Sequence, residues 1–151
     1  DEFNRKRGDS SLPWVWQWNH NPDNTRWSLT KRKGFLRLET SRVDTTFLLA
    51  RNTLTQRTMG PVCAGSTLLD VSNMKDGDIA GLAILQKKFG LIGVKRNGDK
   101  KFIVMVTAIS DTPTELQTVP VVQDKVYLKI ECDFLDKRDV ATFFYSLDGV
   151  K

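Results

Sequence analysis

Apolar and polar residues alternate with a period of two along much of this chain, the pattern of strands with one buried and one wetted face. It is clearest over residues 126–134, where Val126, Leu128, Ile130 and Cys132 share one side and Tyr127, Lys129, Glu131 and Asp133 the other. Such a strand belongs in an antiparallel sheet covered on one face only. Residues 91–95 and 101–106 flank Arg96-Asn97-Gly98-Asp99, and Asn-Gly suits the positive φ angles of a type I′ turn, so these segments predict a hairpin. Further strands are predicted over 34–39, 47–52, 62–70, 79–85, 116–122 and 141–147, separated by clusters of Gly, Pro, Asn and Asp. Short strands at this spacing, without an amphipathic helix longer than two turns, predict an all-β fold: an antiparallel two-sheet sandwich.

A length of 151 residues suits about one domain. At 40% hydrophobic and 27% charged the composition is that of a soluble globular chain, and no run approaches the ~20 apolar residues of a membrane span. The start, Asp1-Glu2-Phe3-Asn4, lacks the basic-then-apolar pattern of a signal peptide, so any targeting segment has been removed or lies upstream. Lys and Arg number 23 against 18 Asp and Glu, a net charge of +5. That excess is scattered in pairs and triplets beside turn residues, as at Lys31-Arg32-Lys33 and Lys100-Lys101. Solvated loop ends explain it better than a phosphate-binding stripe, and no nucleic-acid or membrane partner is expected.

The chemistry on offer is limited. Cys63 and Cys132 lie in apolar runs without metal-ligand spacing; they read as buried thiols, with a bridge between them left open. With His20 as the one histidine, neither a zinc site nor a Ser-His-Asp triad is expected. The segment Asp70-Val-Ser-Asn-Met-Lys-Asp-Gly-Asp78 offers oxygens around a glycine, yet Met74 falls where a calcium loop needs a ligand, so a turn is the plainer reading. No cofactor is expected, and a structural calcium has no motif behind it.

Two segments invite a binding role. In Trp14-Val-Trp16-Gln-Trp18, alternation sets three indoles on one face of an extended segment, with Trp27 further on. Flat indole faces suit stacking on the C–H side of a sugar ring, although three such rings could equally cap a core. In Arg51-Asn52-Thr-Leu-Thr-Gln56-Arg57-Thr, planar Arg, Asn and Gln donors can make paired hydrogen bonds to sugar hydroxyls or to a facing protein surface. A continuing strand would put Arg51 and Arg57 on one side and Asn52 and Gln56 on the other.

Taken in order, Trp16-Gln-Trp-Asn-His20-Asn-Pro-Asp-Asn24, Trp27-Ser-Leu-Thr30, Gly34-Phe-Leu-Arg-Leu38, Ala50-Arg-Asn-Thr-Leu-Thr-Gln-Arg-Thr58, Gly60-Pro61 and Met74-Lys-Asp-Gly-Asp-Ile-Ala-Gly-Leu-Ala83 resemble the C-terminal β-sandwich of family 43 glycoside hydrolases, chiefly β-xylosidases and arabinofuranosidases. The resemblance runs over nearly the whole chain. It implies a concanavalin-like jelly roll, non-catalytic in itself, appended to a β-propeller that carries the catalytic acids. It further implies a partner in that propeller, xylan or xylo-oligosaccharides as ligand, and secretion to the periplasm or outside. Members run several strands past Phe143-Phe-Tyr-Ser-Leu-Asp-Gly149, so a chain shortened at its C-terminal end is expected, with no catalytic residue of its own. The candidate carbohydrate-binding or propeller-facing residues are Trp16, Trp18, His20, Arg51, Asn52, Gln56 and Arg57. A purely structural sandwich packed on the propeller, or an autonomous jelly-roll glycosidase with two facing carboxylates, are the alternatives.

Overall fold

The computed structural model describes residues 1–6, 8–110 and 112–150. The chain is all-β and divides into two compact units, Asp1–Thr58 and Met59–Lys151.

The second unit holds the sandwich. One sheet has the order β11-β10-β5, from Val140–Ser146, Lys125–Asp133 and Val62–Asp70. The other runs β6-β7-β8-β9, from Ile79–Leu85, Phe89–Asn97, Lys100–Thr107 and Thr114–Val121. Every pairing is antiparallel. The alternation over 126–134 does what its pattern predicts: Val126, Leu128, Ile130 and Cys132 are all nearly inaccessible and turn into the core. They meet Ile92 and Val94 of β7, Ile103 of β8 and Val121 of β9, so the inner faces of the two sheets supply the hydrophobic core between them.

One turn in this unit departs from sequence expectation, and one close approach constrains its strands. Asn97 still pairs with Lys100 as the last rung of β7–β8, so the two-residue loop is Gly98-Asp99. Gly98 carries the loop's positive φ, +57°, the pattern of a type II′ turn one residue beyond the predicted type I′ turn. In β6–β7, Gly81 stands opposite Gly93, and a Cβ on Gly81 would come within 2.2 Å of the Ile92 carbonyl oxygen. The two backbones approach too closely there for any side chain.

The first unit has little regular structure. β1 (Trp16–Trp18) pairs with β4 (Leu54–Gln56), and β2 (Trp27–Ser28) pairs with β3 (Arg37–Leu38). The strand predicted over 47–52 is instead a 3-10 turn at Phe47–Leu49, followed by Asn52 in the left-handed region at φ 56°. Thr46 caps that turn by accepting from Leu48 N. A run of Phe-Leu-Leu-Ala has no period of two, and a local cap decides its conformation. Likewise the strand predicted over 34–39 shrinks to Arg37–Leu38.

Candidate functional site

The aromatic segment opens with a turn. Trp16 N donates to Pro13 O at 2.9 Å, making Trp14 and Val15 the central residues of a four-residue turn. Strand β1 begins only at Trp16. The three indoles therefore do not share one face, as alternation predicts. Trp14 projects from the turn and is 99% exposed, whereas Trp16 and Trp18 lie half-buried on the same side of β1.

Each half-buried indole has neighbours that hold it. The Trp16 ring lies 5.5 Å from Phe3, and its Nε1–H donates to Asp1 Oδ2 at 3.2 Å. Trp18 packs on Trp27 at 5.1 Å between centroids, tilted by 52°, and Trp27 Nε1–H donates to Asn24 Oδ1. These tilted contacts are favourable aromatic packing and leave little ring face for a ligand.

Asp1 organises the surroundings of Trp14. Its carboxylate takes both ends of the Arg5 guanidinium, at 2.7 and 3.3 Å, and Arg5 Nε–H donates on to Ser11 O. The side chains of this ion pair are only 16% and 15% exposed. Together with Leu12, Pro13, Trp14, Trp16 and Gln56 they line an open cavity of about 570 Å³. Gln56 reaches it because the β1–β4 register sets it opposite Trp16, on the same side of the sheet.

The other candidates divide. Gln56, Arg51 and Arg57 are exposed, and none of the three side chains has a hydrogen bond among the described residues. Asn52 is 6% exposed and fully engaged: its Oδ1 accepts from Asp23 N at 2.8 Å and its Nδ2 donates to Asp23 O at 3.2 Å. It shapes the chain and presents no free amide. His20 is exposed, with Nε2–H donating to Leu48 O at 2.7 Å. Arg51 and Arg57 do not share a strand face, since β4 covers only Leu54–Gln56. The Asp23 carboxyl sits below its usual range because the Thr25 hydroxyl and then the Thr25 amide donate to it, with Arg26 and Arg51 nearby.

The residues around Asp70–Asp78 use their oxygens internally. Asp70 Oδ1 accepts from Ser72 N and Oγ, Asp78 Oδ2 from Lys75 N, and Asp76 Oδ1 from Gly98 N. Carboxylates that accept from nearby backbone donors in this way are what hold a turn. Among the described residues no three His, Cys, Asp or Glu side chains are grouped to hold a metal.

The whole chain, residues 1–151, matches the family described as the β-xylosidase C-terminal concanavalin A-like domain. The chain belongs to that family. A β-xylosidase of Formosa agariphila is 33% identical over 91% of this chain and 26% of its own length. A solved bifunctional GH43-CE protein of Bacteroides eggerthii superposes with a TM-score of 0.96 at 58% identity, covering all of this chain and 20% of that one. An engineered GH43 glycoside hydrolase, described as displaying both endo-xylanase and exo-arabinofuranosidase activity, gives 0.86 at 33% identity over all of this chain and 31% of that one. This concanavalin A-like domain thus spans between a fifth and a third of these relatives. Of the candidates expected from sequence, Trp16 and Gln56 line this cavity, beside Trp14, Asp1 and Arg5, which are not among those candidates. Pro13, which favours a turn, was the signal that set Trp14 apart.

Proposed function

We propose that this concanavalin A-like domain is a non-catalytic accessory part of a secreted or periplasmic xylan-degrading glycoside hydrolase, a β-xylosidase or arabinofuranosidase, and that it holds xylan-type glycan at the Trp14 cavity. The observation that carries the reading is Trp14 itself, an indole 99% exposed at a cavity that also offers the free amide of Gln56 and the Asp1–Arg5 pair. An open ring face beside planar polar groups is the combination that stacks a pyranose and fixes its hydroxyls. Membership in a family named for β-xylosidases supports xylan over other glycans.

The test compares the intact protein with its Trp14→Ala variant for retention on insoluble xylan. Loss of one stacking platform is expected to weaken retention by about tenfold. Equal retention sinks the glycan reading.

The same exposure favours a second reading, in which the Trp14 face completes the neighbouring catalytic propeller, because a solvent-facing indole is the kind of anchor that protein interfaces bury. In that case acrylamide would fail to quench Trp14 in the intact protein, and Trp14→Ala would lower turnover or stability instead of retention.

A further inference from the structure

We propose that Cys63 and Cys132 form an oxidation site, a dithiol that a small-molecule or protein disulfide converts into a covalent bridge between β5 and β10. The two are direct partners in the β5–β10 register, and both belong to the inner face of that sheet. Both are free thiols in this structure.

The ladder fixes their spacing. Phe134 N donates to Pro61 O and Val71 N to Asp124 O, each at 2.8 Å. Both bonds lie an even number of residues from the Cys132–Cys63 rung, so the cysteines hold a hydrogen-bonded position. Opposed Cα atoms at such a position are about 5.5 Å apart, inside the ~4.4–6.8 Å range that disulfides span. Their Cβ atoms start about 5 Å apart and must approach to about 3.8 Å. Among the described residues β5 pairs with β10 alone, and an edge strand bound on one side can make that adjustment.

Access sets the order of events. Cys63 is half-buried while Cys132 is 3% exposed. The Cys63 thiolate attacks the oxidant's disulfide, forming a mixed disulfide and releasing one oxidant sulfur as thiolate. Cys132, giving its proton to solvent as the edge opens, then attacks Cys63 Sγ and expels the second oxidant sulfur. Two electrons pass to the oxidant, and both thiol protons end on its released thiols. Burial, and then the neighbouring Cys63, raise the Cys132 thiol above its ordinary range, which makes the second step the slower one.

The experiment incubates the intact native protein with oxidised glutathione, blocks remaining thiols after denaturation, and maps peptides without reduction. The expected product is a peptide pair joined through Cys63 and Cys132, with Tm raised by several degrees and restored by dithiothreitol. Recovery of both thiols free, or of Cys63 carrying glutathione while Cys132 stays free, would overturn the proposal. Because the readout is on the unmodified sequence, it does not depend on how Cys63→Ala or Cys132→Ala folds; in those variants the Tm rise is expected to vanish.

Discussion

Asn52 and Asp23 are joined by both ends of one amide: the Asn52 oxygen takes the Asp23 N–H and the Asn52 nitrogen donates to the Asp23 carbonyl. The side chain replaces a stretch of sheet ladder, and it can do so because Asn52 sits at φ 56°, a conformation asparagine tolerates better than most residues.

Replacing Asn52 therefore tests shape, not ligand chemistry. Asn52→Ala loses both hydrogen bonds and strains the backbone, and a cost of about 2–4 kcal/mol in urea denaturation is expected. Asn52→Gly keeps the backbone at ease and should fall between. Asn52→Asp, which turns an oxygen toward the Asp23 carbonyl, should cost as much as alanine.

The indoles are expected to separate by the same measurement. Trp18→Ala removes the ring that packs on Trp27, and a loss of about 2–3 kcal/mol is expected for a half-buried aromatic. Trp14→Ala, at a fully exposed position, should stay within about 0.5 kcal/mol. Reversed magnitudes would mean that Trp14, not Trp18, is the structural residue.

Asp23 offers a pH readout. Its carboxyl is lowered chiefly by the Thr25 hydroxyl and amide, so the charged form is favoured in the folded state. The stability from this group is present above the ordinary aspartate range near 4 and is lost as pH falls through the lowered folded value. Thr25→Val should move the Asp23 titration upward in a carboxyl NMR experiment, and an unmoved titration would assign the shift to Arg26 and Arg51 instead.

Cys132 carries the opposite sign. Its thiol is raised by burial, so the folded state keeps a proton that the unfolded chain releases near pH 8.5. That contribution is complete below this pH and is lost as pH rises toward the folded value. Denaturation of the reduced protein between pH 7 and 10 should show the decline, and Cys132→Ala should flatten it.

The hairpin gives a prediction at two adjacent residues. Gly98→Ala forces a side chain into φ +57° with open space around it, so backbone strain alone sets a cost of about 1–2 kcal/mol. Asn97→Ala, at a paired strand position, should change stability by less than about 0.5 kcal/mol.

Legibility followed regularity. The strands Val62–Asp70 and Ile79–Leu85 were readable to the residue, and the buried side of β10 was readable from alternation alone, because each of those positions is decided by burial. In the first unit, conformations are set by single side chains bonding to backbone: Thr46 at Leu48, Asp23 at Thr25, Asn52 at Asp23. Such bonds leave no period to detect. The same reason hid the cavity, whose Asp1, Arg5 and Trp14 come together through a turn and an ion pair and share no pattern in sequence.

The facing glycines Gly81 and Gly93 bear on how the β6–β7 hairpin finds its alignment. A slip of two residues would keep the inward faces inward, and hydrophobic burial alone would hardly penalise it. It would, however, bring Ile79 or Ala83 opposite Gly93, where the Ile92 carbonyl leaves no room for a Cβ. The pair thus works as a steric key: the absence of two methyl groups selects one alignment for a strand that greasy side chains would let slide.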